Sequence, residues 1–217
     1  MSRPSSARRT CMVAVASCVV APNAVLPRAS AAELKPLAEI GRAAPAFDVP
    51  DAEGRHRTLA AWRGKPVVLE WTSPTCPFAA AQYASGRMQA LQQWARQHDI
   101  VWATVLSSHP SRPDYLEGPA ARAWDRSRGG MPTALLIDAD GSMGHAYGAM
   151  TANHMFVIDA KGVLRYAGGI DDSMSTKPDE VANAHNYVRA ALEDLLSGRP
   201  VQTATSEPAG CAIAYAG

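Results

Sequence analysis

The chain has 217 residues, 47% of them hydrophobic and 19% charged, with 16 glycines and 16 prolines, a composition that suits one globular domain with a sizeable core. A formal net charge of +1 gives no electrostatic reason to expect a nucleic acid as partner. No apolar run reaches the roughly 18 to 20 residues that a membrane-spanning helix needs.

The first 31 residues differ from the rest. Arg3, Arg8 and Arg9 make a basic start, Met12 to Val20 is an almost unbroken apolar run, and Ala29-Ser30-Ala31 has the small-x-small pattern of a signal peptidase site. That order is expected of a cleaved secretory leader, residues 1–31, and of a mature chain, residues 32–217, that works in the periplasm or outside the cell. Two variants compete with it. Val15-Ala16-Ser17-Cys18 resembles a lipobox, which would put a lipid on Cys18, although the residues after it are apolar. Arg8-Arg9 resembles a twin-arginine signal that Thr10-Cys11-Met12 fits poorly. Cleavage after Ala31 removes four arginines and no acid, taking the formal charge from +1 to −3. It also removes Cys11 and Cys18 and leaves Cys76 and Cys211, two thiols in an oxidising compartment.

Residues 32 to 57 form a mixed opening segment with a turn at Asp51-Ala52-Glu53-Gly54. Thr58 to Lys65 predicts a short helical turn closed by glycine, and Pro66 to Trp71 a buried strand, since its apolar and β-branched residues run without strict alternation. Thr72 to Cys76 is a loop into a single long helix, Pro77 to His98, with Pro77 at the first helical position, where its missing N–H is not needed. Ile100 to Leu106 predicts a second strand, Pro119 to Arg126 a helix in a polar stretch, and Thr133 to Ile137 a third strand. Asp138-Ala139-Asp140-Gly141 looks like a calcium-loop fragment without the downstream ligands and is read as a hairpin turn. His154 to Ile158 and Val163 to Ala167 flank Asp159-Ala160-Lys161-Gly162 as a β-hairpin. Pro178 to Leu196 predicts a last amphipathic helix, and the tail beyond it has no clear periodicity. This order implies an α/β protein, a three-layer α/β/α sandwich around a central mixed β-sheet.

Several motifs then converge. Trp71-Thr72-Ser73-Pro74-Thr75-Cys76-Pro77-Phe78, Tyr147-Gly148-Ala149 before the hairpin, Tyr166 to Asp172 after it, and Pro208-Ala209-Gly210-Cys211 near the end resemble the peroxiredoxin-like, or redoxin, branch of the thioredoxin superfamily, which is related to the alkyl hydroperoxide reductase/thiol-specific antioxidant proteins. The resemblance spans roughly residues 40 to 215. It implies a thioredoxin fold and a thiol oxidoreductase with Cys76 as redox nucleophile and Cys211 as resolving partner. Glu70, six residues before Cys76, takes the position of the superfamily's buried proton-relaying acid. Thr75, Pro77 and Asn153 fall where substrate is contacted. The implied substrates are a protein thiol or disulfide, or a peroxide, with an external thiol as electron donor and no cofactor or metal. A peroxidase, and a catalytically silent module stapled by Cys76–Cys211, remain the alternatives.

Three departures bear on that choice. Cys76-Pro77-Phe78-Ala79 has only the first cysteine of a C-x-x-C pair, so no local dithiol exists. The peroxidatic pattern P-x-x-x-T-x-x-C finds Leu69 and Ser73 in its first two slots, keeping a hydroxyl and losing the proline. Asn153 stands where the fold usually has a cis-proline. A non-proline cis bond costs about 3 kcal/mol, so Asn153 is expected to be trans and its loop rearranged. Met131-Pro132-Thr133 resembles that motif but precedes an earlier strand.

From the residues themselves, a cysteine that opens a helix sits by unpaired N–H groups and the positive end of the helix dipole, which favour the thiolate. Glu70 interrupts an apolar strand: it is either a buried acid whose pKa burial raises, or a strand-end acid reaching solvent or paired with Arg63 or Lys65. His56, His98, His109, His145, His154 and His185 show no metal spacing with one another or with the cysteines, and five scattered tryptophans suit core or groove lining.

Overall fold

The computed structural model describes Met1 and residues 37–216. The expected leader, its cleavage point after Ala31, and Cys11 and Cys18 therefore lie outside the described residues.

A small antiparallel pair, β1 (Asp48–Pro50) and β2 (His56–Thr58), opens the fold. Its turn is held by Asp51, whose carboxylate accepts from the Glu53 and Arg55 N–H groups, both at 2.9 Å, and from the Arg57 guanidinium at 2.8 Å. The short turn Leu59–Trp62 is a 3-10 helix capped by the Thr58 hydroxyl. The main sheet contains β3 (Val67–Trp71), β4 (Val101–Leu106), β5 (Ala134–Ile137), β6 (Met155–Ile158) and β7 (Leu164–Gly168) in the order β5-β4-β3-β6-β7. Strands β3, β4 and β5 are parallel, while β6 runs antiparallel to both β3 and β7, so the sheet is mixed as expected.

Each face of the sheet is covered. Val67, Leu69 and Trp71 of β3 pack with Val101, Ala103, Val105, Phe156 and Ile158 on one face, beneath Phe47 and beneath Met143 and Tyr147 of helix α4 (Ser142–Tyr147). Val68 points the other way, into a core shared with Trp102, Met155, Val157 and helices α1 (Pro77–Ala84), α2 (Arg87–Gln97) and α6 (Tyr187–Leu196). Helix α3 (Gly118–Ser127) contributes Ala121 and Trp124 to a third cluster with Leu106, Leu135 and Ile137. Period-two alternation places Glu70 on the same face as Val68, under α1 and α2.

Three expectations need correction. The single helix Pro77 to His98 is two helices, broken at Ser85-Gly86, where Gly86 takes φ +78°. That left-handed conformation is disfavoured for residues with a Cβ. The last helix is likewise divided into α5 (Pro178–Ala182) and α6, because Asn186 starts a new helix by accepting the Arg189 N–H at 2.7 Å. Asp138 to Gly141 is a turn, but it leads into α4 rather than into a hairpin strand: the Asp138 carboxylate accepts from the Met143 and Gly144 N–H groups at 3.0 and 2.8 Å. The tail has no helix or strand, in keeping with its lack of periodicity, and is tied to the domain by hydrogen bonds. Gly169 N–H donates to Ser206 Oγ at 3.0 Å, Ile213 N–H to the Met150 carbonyl at 3.0 Å, and the Tyr215 hydroxyl to the Ala149 carbonyl at 2.8 Å.

Candidate active site

Strand β3 and helix α1 are joined by the loop Thr72 to Cys76, and Cys76 is the N-cap residue of α1 with extended backbone (φ −83°, ψ 116°). Pro77 occupies the first turn, and no side chain caps the helix. The loop is anchored through Asp114, which accepts from the Ser73 hydroxyl at 3.0 Å and from the Ser108 hydroxyl at 2.8 Å. Ser73, the hydroxyl retained three residues before the cysteine, is thus engaged with a carboxylate. Thr75 and Pro77 flank Cys76 on the exposed side of the loop.

Cys76 is disulfide-bonded to Cys211, with the two Cα atoms 5.6 Å apart. Cys76 is 1% exposed, whereas Cys211 is partly exposed, so the bond joins a buried cysteine to a partly exposed one. Ala79, Ala152 and the edge of Phe78 pack around the pair. The Cys211 N–H lies 3.2 Å from Cys76 Sγ, and the Ala152 N–H donates to the Cys211 carbonyl at 2.8 Å.

Asn153 follows Ala152. It is trans, with φ +68°, and is 3% exposed beneath the tail. Asparagine tolerates this left-handed conformation better than most residues with a side chain. Its N–H donates to the Trp71 carbonyl at 2.7 Å, which ties this loop to the end of β3. His154, the next residue, stacks on Phe156 with ring centres 4.4 Å apart, and its Nδ1 accepts from Met150 N–H at 3.3 Å. Burial holds its pKa down at about 4, so this imidazole is neutral.

Glu70 is wholly buried. Its Oε1 accepts from the Tyr83 hydroxyl at 2.8 Å, and its Oε2 accepts from Trp102 Nε1 at 2.7 Å, Thr104 Oγ1 at 2.9 Å and Gln92 Nε2 at 3.2 Å. Arg63 and Lys65, the surface alternatives, are engaged elsewhere, with the Lys161 carbonyl and with Asp99. Burial pushes the Glu70 pKa up; the Arg128 guanidinium at 4.0 Å and the hydrogen bonds from Trp102, Tyr83 and Thr104 work against that rise without cancelling it.

Tyr83 joins this buried acid to the cleft that Cys76 also lines. It lines a cleft of 340 Å³ together with Ser73, Cys76, Ala80, Trp124 and Arg128. The Arg128 guanidinium lies between the Tyr83 and Trp124 rings, 3.7 and 3.8 Å from their centres, and both Nε and Nη2 donate to Asp125 Oδ1 at 3.1 and 2.9 Å. Tyr83, Gln92, Thr104, Asp125 and Arg128 were not singled out from the sequence. Tyr83 is seven residues after Cys76, two turns along one helix face, and that spacing was its only signal. Among the described residues no group of three or more His, Cys, Asp or Glu side chains is arranged to hold a metal ion.

Comparison with known proteins agrees with this geometry. At 29% identity the chain is similar over 134 residues, 61% of its length and 78% of the relative's, to a provisionally named peroxiredoxin of Mycobacterium tuberculosis. It is 26% identical over 133 residues to the thiol:disulfide interchange protein DsbE of Pseudomonas aeruginosa, covering 60% of this chain and 67% of that one. A crystal structure of a hypothetical protein from Sinorhizobium meliloti superposes with a TM-score of 0.66 at 26% identity, covering 82% and 95% of the two chains. A provisionally assigned DsbE of Chlorobium tepidum, at 16% identity, covers 74% of this chain and 97% of its own with a TM-score of 0.53, and shows the shared fold. The profile described as the AhpC/TSA family matches residues 40–167, which contain the Cys76 loop, the Glu70 strand and the β6–β7 hairpin. With that match over more than half its length, on a thioredoxin fold whose first long helix opens at a disulfide-bonded cysteine, the chain belongs to the AhpC/TSA family of the thioredoxin superfamily.

Proposed function

We propose that this protein is an extracytoplasmic thiol–disulfide oxidoreductase in which Cys76 is the nucleophile and Cys211 its resolving partner. The observation that carries the reading is the unequal exposure of the two cysteines in a disulfide that opens a helix. A thiolate from an external donor attacks the sulfur of Cys211, the more exposed of the two. The Cys76–Cys211 bond breaks, and Cys76 leaves as a thiolate favoured by the unpaired N–H groups and dipole of α1. A second thiol of the donor frees Cys211. Reduced Cys76 then attacks a substrate disulfide, one substrate thiol leaves, and Cys211 displaces the other to re-form the internal bond.

Glu70 serves this cycle as a proton store reached through Tyr83, whose hydroxyl binds the acid and whose ring lines the cleft beside Cys76. The leader-like N-terminus favours a compartment where such a pair is oxidised. The resemblance to proteins named peroxiredoxin and DsbE supports either a peroxide or a disulfide as oxidant. Leu69 in place of the peroxidatic proline favours the disulfide.

The cleft on Cys76 supports peroxide reduction as the second reading. There Cys76 thiolate attacks a peroxide oxygen, the O–O bond breaks, an alcohol or water leaves, and the resulting sulfenic acid condenses with Cys211 to release water. Parallel rates on the reduced chain separate the two. Disulfide reduction faster than hydrogen peroxide consumption, both lost in Cys76→Ser, supports the exchange reading; the reverse order supports the peroxidase. Neither rate above that of free thiol would overturn both and leave a structural staple.

A further inference from the structure

Segment Gly210 to Ile213 binds the rest of the chain in the manner of a separate peptide. Its backbone forms a short antiparallel ladder with the loop that precedes β6: Thr151 bridges Ala212, the Ala152 N–H donates to the Cys211 carbonyl at 2.8 Å, and the Ile213 N–H donates to the Met150 carbonyl at 3.0 Å. The disulfide to Cys76 lies in the middle of that ladder. Main-chain pairing of an extended segment fixes its register without reading side chains, and specificity then comes from positions where side chains meet the surface. One such position is Gly210. A Cβ added there would collide with the Ala152 carbonyl oxygen, backbone that no side-chain rotation can clear. On the other side of the cysteine, Ala212 is exposed and imposes no such limit.

When the disulfide is reduced, the tail is held here by the ladder and by its flanking contacts, the Ala214 carbonyl with His109 N–H at 2.9 Å and Tyr215 against His145. If it departs, the Ala152 N–H and the Met150 carbonyl lose their partners on the tail and stand as an open strand edge that another extended segment can pair with.

We infer that the tail is a tethered stand-in for substrate, and that the Met150–Ala152 edge accepts an extended peptide segment carrying a cysteine directly preceded by glycine. This rests on Cys76 being the nucleophile. In the reduced chain the Cys76 thiolate attacks the cysteinyl sulfur of a peptide–S–S–R disulfide. The Cys76–peptide bond forms, the bond to R breaks, and R leaves with the electron pair as a thiolate. The tail competes for the same edge, so a bound segment must displace it, and the tail's return favours release.

The test uses the full-length Cys211→Ser chain, reduced, with two probes: the heptapeptide Pro-Ala-Gly-Cys-Ala-Ile-Ala and its Gly-to-Val counterpart, each with the cysteine as a mixed disulfide with nitrothiobenzoate. Release of coloured nitrothiobenzoate reports the exchange, and the small disulfide dithiobis(nitrobenzoate) reports Cys76 reactivity without a peptide. The glycine peptide is expected to react about tenfold faster than the valine peptide, the discrimination of a steric clash in a formed site. Equal peptide rates with the small disulfide still reacting at Cys76 would overturn the inference and leave the nucleophile in place. No reaction with any probe would overturn both. Should Cys211→Ser fail to fold, the reduced wild-type chain is mixed with the two probes and the initial release of nitrothiobenzoate is compared, with Cys76→Ser as the blank for reaction at Cys211. The same preference is expected, and equal rates would overturn the inference.

Discussion

Replacing Glu70 by glutamine tests the buried acid through the pH dependence of stability. The carboxyl accepts four hydrogen bonds between 2.7 and 3.2 Å in a site without solvent. Glutamine keeps the shape and resembles the protonated acid, with its amide NH2 turned towards the Tyr83 oxygen. Because burial raises the native pKa of Glu70 above its unfolded value, the native state holds this proton over a pH range where the unfolded chain has lost it. There the unfolded state binds fewer protons, so wild-type stability falls as pH rises. The contribution is fully present below the unfolded carboxyl pKa and lost as pH passes through the native one. The limiting slope for one proton is about 1.4 kcal/mol per pH unit. Other titrating groups are common to both proteins and cancel in the difference. Urea unfolding of wild type and Glu70→Gln from pH 4 to 8 should therefore show the difference moving in favour of glutamine as pH rises, then levelling above the native pKa. At the low-pH end the variant should be the less stable, by about 1 to 3 kcal/mol for one imperfectly satisfied buried group. Should the difference stay flat, or move in favour of glutamate with rising pH, Glu70 is held ionised and cannot store the proton. Under the relay reading the same variant also slows disulfide reduction, by about 10²-fold.

Two further substitutions probe the disulfide and its loop. Cys211→Ser opens a loop of 135 residues, which in the chain-entropy model removes about 5 kcal/mol. At about 2 to 4 °C per kcal/mol for a chain of this size, the melting temperature should fall by about 10 to 20 °C, and an unchanged value would mean that the tail is held by its other contacts alone. Asn153→Pro cannot keep φ +68° and loses the N–H that donates to the Trp71 carbonyl. It should cost about 3 kcal/mol or more in chemical denaturation, and a neutral effect would show that the loop readily adopts the usual proline conformation.

Much of the architecture could be read from residue order. The apolar runs Val67 to Trp71 and Ile100 to Leu106, and the turn Asp159 to Gly162, are local signals that the tertiary structure respects. The breaks at Gly86 and Asn186 were hidden because the helical periodicity on either side runs through them. Helix α4 was hidden because it is short, and its start depends on Asp138, which accepts from the Ser107 hydroxyl, itself an acceptor for Trp71 Nε1. Cys76 and Glu70 stood out as a cysteine before a helix and an acid in an apolar strand. The groups that define their surroundings, Tyr83, Gln92, Trp102, Thr104 and Arg128, come from three helices or their ends and one strand, and only the fold brings them together. Asn153 was legible as a departure from a pattern; its left-handed backbone and its burial under the tail were not.

The central claim is that Cys76 and Cys211 cycle between thiol and disulfide, and the potential of that pair tests it most directly. Purified protein is equilibrated with glutathione redox buffers or, for lower potentials, with dithiothreitol buffers. The thiols are trapped by alkylation and the oxidised fraction is read by mass spectrometry. A catalytic pair is predicted to titrate above about −300 mV, where cellular thiol donors can reduce it. A potential well below that value would contradict the account and make the bond a structural staple.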